Sequence, residues 1–238
     1  MTRELVYGRQ PVREVVRAGK RQLLELLVTE RALAAEPWLR ELPGLRLQVV
    51  PDRRLNEAAG TTEHQGVVAF CEPYRYAQAH ELAGGDRPLV VCLDQVTDPH
   101  NLGAVIRSAE GAGASGVVIT ERNAARVTPA VCKASAGAVE HLPVAVVVNL
   151  GRYLEEIKRP QIWVWAADGD AETPVWGADL ATGVALVFGA EGRGLRPGVR
   201  RACDDAFAVP LAGSVESLNV SVAAGVALFE AARQRRRA

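Results

Sequence analysis

The chain has 238 residues, of which 48% are hydrophobic, so it can form one large domain or two modest domains with real cores. Its 28 basic and 28 acidic residues give a formal net charge of zero, which argues against a protein that holds nucleic acid by overall positive charge. Any nucleic-acid site must therefore be local. All but three of the basic residues are arginine, which suits phosphate recognition, although a nucleotide bias of the genome explains this composition equally well.

Membrane insertion and secretion are not expected. No apolar run approaches the roughly 18 residues of a membrane helix, and the start MTRELVYGRQ lacks the apolar core of a signal peptide. The four cysteines form no C-x-x-C pair, which disfavours a zinc site and a disulfide framework. We therefore expect a cytoplasmic α/β protein with no bound metal and no membrane partner.

The first part of the chain reads as a small α/β domain. Its pattern predicts, in order, a helix (PVREVVRAG), a strand (LLELLVT), a helix (AAEPWLREL), a strand (LRLQVV), a short helix (RRLNEAAG) and a strand (GVVAFCE). The stretch YAQAHELAGGDRP is rich in turn residues and poor in large apolar ones, which indicates a linker. We accordingly expect a first domain over 1–77, a linker over 78–87 and a second domain over 88–238.

The second domain has the pattern of a parallel sheet. Six short apolar runs are separated by helical or loop segments, as in sheets covered on both faces: LVVCLD, GVVIT, PVAVVV, IWVWAAD, VALVFG and AFAVP. Ligands of such sheets bind beyond the carboxyl ends of the strands. Three of these exits have unusual sequences: DQVTDPHNLG, GAEGRGLRPG and PLAGSVESLN. We expect the functional site to lie there.

The helix predicted after LVVCLD carries two groups of interest. Its apolar residues recur with helical spacing and should face the sheet: Leu102, Val105, Ile106 and Ala109. Asn101 precedes them as a natural N-cap, and Gly103 and Arg107 share another face because they are four residues apart. Taken alone, Asn101 as a simple cap and Arg107 as a surface arginine explain the pattern at least as well as a catalytic role.

Glycines at the end of this helix imitate a dinucleotide-binding motif. Gly111, Gly113 and Gly116 fit G-x-G-x-x-G, but that fingerprint must follow a strand and open a helix. Here the glycines close a helix and lead into a strand, which favours a helix stop and a tight turn. The chain also has no G-x-x-x-x-G-K-[ST] phosphate loop, so a nucleotide triphosphatase is disfavoured.

Three long motifs of the second domain together resemble those of one enzyme family. DPHNLGAVIRSAEGAGASGVVI, LVFGAEGRGL and VPLAGSVESLNVSVAAGVALFEA are similar, in order and spacing, to the signature motifs of the SpoU (TrmH-like) RNA ribose 2′-O-methyltransferases. VYGRQPVREVVRAG and HQGVVAFCEP resemble the small L30e-like substrate-binding domain of members that methylate a guanosine of large-subunit (23S) ribosomal RNA. The resemblance thus extends over both expected domains.

The resemblance implies a fold, a cofactor and a set of site residues. It implies a SPOUT-type second domain tied in a trefoil knot, a homodimer, and a pocket for S-adenosyl-L-methionine formed by the knot. It assigns the active site to residues of all three motifs: Asn101, Arg107, Glu191, Ser217 and Asn219. It assigns cofactor contacts to Gly189, Val209, Leu211 and Leu218.

Other functions are compatible with the same motifs. A tRNA methyltransferase or an antibiotic-resistance rRNA methyltransferase would share the second domain, because RNA choice depends on the first domain and on surface loops. A non-catalytic RNA-binding homologue would also share the fold, but it has no need for the five active-site identities. RNA is the expected partner in every case, and DNA is not expected.

Overall fold

The computed structural model describes residues 2–42 and 44–236, which form two compact units. The first unit consists of the chain up to Arg75 together with Val127–His141. The second consists of Tyr76–Arg126 and the chain from Leu142 onward. The sequence pattern places 127–141 in the second domain, so the membership of this segment in the first unit is a difference that only the structure reveals.

Helices and strands alternate along the described residues except between β8 and β9, which a 3₁₀ turn over Val175–Gly177 separates. The strands are β1 (Glu4–Tyr7), β2 (Leu23–Val28), β3 (Arg46–Val49), β4 (Val67–Cys71), β5 (Leu89–Asp94), β6 (Gly116–Thr120), β7 (Val144–Val147), β8 (Ile162–Ala167), β9 (Gly183–Gly189) and β10 (Asp205–Phe207). The helices are α1 (Arg9–Ala18), α2 (Glu30–Ala35), α3 (Asp52–Ala59), α4 (Ala79–Leu82), α5 (Pro99–Gly111), α6 (Pro129–Ala134), α7 (Leu150–Ile157), α8 (Pro197–Arg201) and α9 (Val220–Arg235).

The first unit contains a four-stranded sheet in the order β1-β4-β2-β3. The predicted helices and strands are found, with two differences. Strand β1 was not predicted from the pattern, and the helix predicted over 34–42 is displaced. Helix α2 begins earlier because the Thr29 hydroxyl accepts a hydrogen bond from the Ala32 N–H at 3.1 Å and so caps it. It ends before Pro37, which opens a separate 3₁₀ turn over Pro37–Arg40.

A buried ion pair explains why 127–141 belongs to the first unit. The side chains of Arg21 and Glu140 are only 3% and 2% exposed, and Arg21 Nε donates to Glu140 Oε2 at 3.0 Å. Burial lowers the pKa of Arg21, but the hydrogen bond and charge of Glu140 outweigh this effect and hold that pKa above its usual value. Two charged groups with these exposures are stable in the interior only as partners.

We therefore predict that Glu140→Gln destabilises the first unit by about 3 kcal/mol, because it removes the buried counter-charge of Arg21 and leaves the ion pair to Glu4, whose side chain is 41% exposed. Glu57→Gln is the control, since Glu57 pairs with Arg53 on the surface and its loss should change stability by less than about 1 kcal/mol. Denaturant unfolding of both variants measures the difference. Equal midpoints for the two variants would contradict the prediction.

The second unit contains a six-stranded sheet in the order β10-β8-β9-β5-β6-β7, and all its strand pairs are parallel. The six predicted strands are thus confirmed. Val90 and Cys92 of β5 pack with Tyr153 and Leu154 of α7 in one buried cluster. Leu82 of α4 belongs to the same cluster, so residues 78–87, expected as a linker, contribute to this core.

Helix α5 begins earlier than predicted. Its N-cap is Asp98, whose Oδ1 accepts a hydrogen bond from the His100 N–H at 2.8 Å, and Pro99 occupies the first turn. The prediction of Asn101 as the N-cap is therefore wrong, and its side chain is available for other contacts. The predicted apolar stripe of this helix is confirmed, because all four of its residues are buried: Leu102, Val105, Ile106 and Ala109.

The glycine-rich end of α5 is also confirmed as a helix stop. Gly111 is the last helical residue, Gly113 follows with a φ of 77°, and Gly116 opens β6. A side chain at Gly116 would collide with Leu82 and with the carbonyl oxygen of Pro143. Close packing at the start of β6 therefore requires glycine there, which accounts for this part of the motif without a nucleotide.

The membrane and metal-binding properties of residues 2–42 and 44–236 bear on the class of protein. No helix among them is long and apolar enough to cross a membrane. No group of three or more histidine, cysteine, aspartate or glutamate residues within these ranges could hold a metal ion. The four cysteines are buried as free thiols, and burial raises the pKa of Cys71 to about 11.

Candidate active site

The carboxyl edge of the second unit's sheet contains a cavity of about 900 Å³. The segments that follow β8, β9 and β10 line it, together with the first turn of α9. Seven of the nine predicted site residues lie in its wall: Gly189, Glu191, Val209, Leu211, Ser217, Leu218 and Asn219. The cavity thus lies where a parallel sheet places its ligands.

Asn101, Glu191 and Asn219 form one hydrogen-bond network. Asn101 Nδ2 donates to Glu191 Oε1 at 3.0 Å, and Asn219 Nδ2 donates to the same oxygen at 2.6 Å. Asn219 Nδ2 also donates to Asn101 Oδ1 at 2.9 Å. The network therefore joins the start of α5, the loop after β9 and the start of α9, which are the three motifs that the sequence singled out.

The acceptors in this network fix the orientation of both amides. An ionised carboxylate only accepts hydrogen bonds, so both asparagines must present Nδ2 to Glu191. Asn219 Oδ1 accepts from the Ser221 N–H at 2.8 Å, which makes Asn219 the N-cap of α9 as well. Glu191 Oε2 has no hydrogen bond to any residue that the structure describes, so it remains available to a ligand.

Gly189 ends β9 at the cavity wall, where the chain turns back on itself. The Gly194 N–H donates to the carbonyl oxygen of Ala190 at 2.9 Å, which closes a tight loop. A Cβ atom at Gly189 would overlap the backbone of Gly194 and Leu195. Only glycine allows the backbone to turn back this closely, so the loop that presents Glu191 requires glycine at position 189.

Arg107 and Ser217 are the two proposed active-site residues outside the network. Ser217 is exposed and lines the cavity. Arg107 is exposed on α5, does not line the cavity, and has no hydrogen bond or ion pair within residues 2–42 and 44–236. The structure of a single chain therefore brings four of the five predicted residues together and leaves the guanidinium outside.

Sequence reasoning missed the acidic part of the cavity wall. Asp168 and Asp170 follow β8, and Glu216 lies in the segment before α9. The signal was present, since Asp-Gly-Asp directly follows the run IWVWAA and marks a fourth strand exit. The cavity therefore combines carboxylates with apolar side chains such as Phe188 and Leu218.

Comparison with known proteins identifies the family of the chain. The SpoU rRNA methylase family matches residues 88–229, and the family described as RNA 2′-O ribose methyltransferase substrate binding matches residues 5–77. The chain is 37% identical over 244 residues to the 23S rRNA (guanosine-2′-O-)-methyltransferase RlmB of Photobacterium profundum, covering 99% of each chain. It is 39% identical to the putative TrmH family tRNA/rRNA methyltransferase YacO of Bacillus subtilis, covering 98% of this chain and 96% of that one.

Solved structures of SpoU methyltransferases are similar to this chain. The SpoU methyltransferase AviRb of Streptomyces viridochromogenes, in complex with the cofactor AdoMet, has a TM-score of 0.82 and 28% identity over 98% of this chain and 90% of that chain. The chain belongs to the SpoU rRNA methylase family. It is an RNA 2′-O-methyltransferase, with a substrate-binding region preceding the catalytic one.

The network predicts the effect of Asn219→Asp. Aspartate caps α9 as well as asparagine does, but it places a second carboxylate against Glu191. Repulsion destabilises the folded state where both carboxyls are ionised, so stability falls as pH rises through the carboxyl range. We expect a loss of less than about 1 kcal/mol at pH 7, because both side chains are exposed and solvent screens their charges. The loss should disappear at low pH, where the carboxyls are protonated.

Thermal unfolding across pH 4–8 measures this effect. Asn219→Ser is the matched control, because serine caps the helix without adding charge. The serine variant should therefore keep the wild-type pH dependence. If the aspartate variant kept it too, Asn219 would not face Glu191 as described.

Proposed function

We propose that this protein transfers a methyl group from S-adenosyl-L-methionine to the ribose 2′-hydroxyl of a guanosine in 23S ribosomal RNA. The main structural support for this reaction is the hydrogen-bond network of Asn101, Glu191 and Asn219 at the edge of the cavity. The substrate is taken from relatives described as 23S rRNA (guanosine-2′-O-)-methyltransferases, which are similar over nearly the full length of the chain.

The cavity wall suits this cofactor. S-Adenosyl-L-methionine combines a sulfonium and an ammonium with one carboxylate. Asp170 and Glu216 give the wall negative charge, and Asp168 adds a carboxylate that pairs with Arg200 at 3.3 Å. The proposed contacts Val209, Leu211 and Leu218 offer apolar surface and backbone groups for an adenine ring, and Gly189 permits close approach. A cavity of about 900 Å³ is within the range of cofactor sites.

The chain's own residues act mainly by positioning. The bound cofactor supplies a methyl group on a sulfonium, which is already a good leaving group. The protein must align the 2′-oxygen, exclude water and ease the loss of its proton. Asn101 and Asn219 hold Glu191, whose Oε2 can accept a hydrogen bond from the ribose. A guanidinium group donates hydrogen bonds and accepts none, so the role of Arg107 is to orient the phosphate or ribose and stabilise negative charge on the oxygen.

A gene-deletion strain tests the proposal. Mapping of ribose methylation across rRNA and tRNA should show the loss of one guanosine mark in 23S rRNA. The wild-type gene should restore the mark.

The variant Arg107→Ala tests the role of the guanidinium in vitro. Its turnover should fall at least about a hundredfold, because a positioning group is lost, while its cofactor affinity by calorimetry should be unchanged. Glu110→Gln is the control, since this exposed residue lies on the same helix and should retain activity.

The outcomes of this experiment separate the alternatives. Loss of a tRNA mark instead would establish a tRNA enzyme, a reading left open by the name of YacO. Loss of no mark, together with absent methyl transfer in vitro, would establish a non-catalytic RNA-binding homologue. Near-normal turnover of Arg107→Ala would remove Arg107 from the active site.

The homodimer is part of the proposal. Val222, Val226 and Phe229 form an exposed apolar stripe along α9, with exposures of 50%, 37% and 55%. Phe229 lies beside Gly111 of α5, one turn beyond Arg107. A second copy that covers this stripe would bury its apolar surface and bring Arg107 to the subunit interface. That arrangement would explain why Arg107 lies outside the cavity of its own chain.

We predict that Phe229→Glu yields a monomer, because the new charge cannot be buried in the apolar interface. Light scattering should show the 25.5 kDa mass of one chain, against twice that mass for the wild type. The monomer should bind the cofactor but lose methyl transfer. Val49→Glu is the control, since this exposed residue lies in the first unit. A dimeric Phe229→Glu protein, or a monomeric wild type, would refute this arrangement.

The trefoil knot, the L30e-like first domain and the cytoplasmic location complete the proposal. Strand β10 lies at one edge of the sheet beyond β8, and the chain then returns to α9, which packs against α5. The segment between β10 and α9 passes the ends of β8 and β9, and this path supports a knotted chain. The alternating helices and strands of the first unit support the L30e-like fold, and rRNA modification supports the cytoplasm.

A further inference from the structure

A second concavity opens near the carboxyl ends of the strands, between the beginnings of α7 and α8. Its volume is about 530 Å³, and three arginines line it: Arg152, Arg196 and Arg201. We call it the arginine cleft. Glu155 is the carboxylate in its wall, and this residue pairs with Lys158 at 3.5 Å. Two of the three arginines pair with carboxylates outside the lining, Arg152 with Glu156 and Arg196 with Asp94. Arg201 is therefore the lining arginine that has no ion pair to a described residue.

Arg196 is held rigidly at the base of this cleft. Asp94, at the end of β5, is 1% exposed and accepts hydrogen bonds from Arg196 Nε at 2.8 Å and from the Arg196 backbone N–H at 2.9 Å. The Arg196 side chain is nevertheless 45% exposed. A buried carboxylate thus fixes one edge of the guanidinium while the remainder faces solvent, which is how a binding arginine is preorganised.

The other two arginines are exposed and accessible to a ligand. Arg152 is 78% exposed and forms an i,i+4 pair with Glu156, a contact worth little at the surface. The Arg201 side chain has no hydrogen bond or ion pair to the part of the chain that the structure describes. The two helices approach closely here, since a Cβ at Gly151 would lie 3.3 Å from the carbonyl oxygen of Gly198. Arginines from both helices therefore border one concavity.

The surface beside the cleft favours a nucleotide over a simple anion. A neighbouring hollow shares Val148, Asn149 and Arg152 with it. Val148 is 80% exposed, and beyond it the His80 ring packs on Tyr153 with centroids 5.6 Å apart. Tyr153 itself is only 3% exposed, so the exposed surface beside the arginines is that of Val148 and the His80 ring. Such surface next to guanidinium groups suits an unstacked base beside a phosphate, whereas an acidic protein segment would not need it.

We infer that the arginine cleft binds backbone phosphates of the RNA substrate beside the methylated nucleotide. The inference rests on the proposed function, because it names a substrate contact of the same enzyme. It also gives a chain of zero net charge a local contact for a polyanion, because three guanidinium groups line one concavity.

The test is the double variant Arg152→Gln with Arg201→Gln. Arg196 is left intact because it holds Asp94. Binding of a 23S rRNA fragment is measured from low to high salt. Each lost phosphate contact should reduce the slope of log K against log salt by about 0.7, so the double variant should lose about 1.4. The KM for RNA should rise at least about tenfold, with kcat at saturating RNA and cofactor affinity unchanged.

Two controls separate binding from structure. Arg87→Gln removes an exposed arginine just before β5, at the amino ends of the strands, and should keep the wild-type slope. The double variant Arg152→Lys with Arg201→Lys keeps both charges and should restore most of the slope, which a merely structural role would not predict.

The outcomes are distinct for the cleft and for the enzyme. If the wild type methylates RNA and the double glutamine variant keeps its slope and KM, the cleft proposal is overturned and the proposed function stands. If the variant loses binding to polyglutamate but not to RNA, the cleft serves an acidic protein and the proposal is likewise overturned. If the wild type neither binds nor methylates RNA, both fail.

Discussion

The hydrogen bonds between Asn101, Glu191 and Asn219 hold the second unit's functional edge together. Asn101 and Asn219 are 118 positions apart in the chain, and Glu191 lies between them on a different loop. Because a carboxylate only accepts hydrogen bonds, it orders both amides, and Asn219 at the same time begins α9. One network therefore sets the geometry of the cavity and the start of the helix that packs against α5.

Acidic and basic side chains of this unit line two different concavities. The cavity wall carries carboxylates, which suit a cationic methyl donor, while three guanidinium groups line the arginine cleft and suit a polyanion. A formal net charge of zero conceals both. The pair of Asp94 and Arg196 links the end of β5 to the segment after β9, so the residue that shapes the cleft also anchors the loop that presents Glu191.

The first unit shows a different dependence on tertiary structure. Its helices and strands follow from local patterns such as the Thr29 cap, but its composition as a unit does not. Residues 127–141 join it through Glu140, which is 119 positions from Arg21. Charged residues are mostly exposed, so neither looked like a core residue in the sequence, and only their mutual burial reveals the pair.

The sequence by itself determined the six parallel strands, the glycine stop of α5 and the family, because apolar periodicity, turn residues and long motifs are local properties of the chain. It also named the three motifs that meet at the cavity. The Asp98 cap of α5 and the Asp-Gly-Asp exit after β8 are also local signals, which the sequence interpretation overlooked. Tertiary structure decided that Arg107 lies outside the cavity and that 127–141 packs with the first unit. Both depend on which distant residues become neighbours, and no local pattern contains that information.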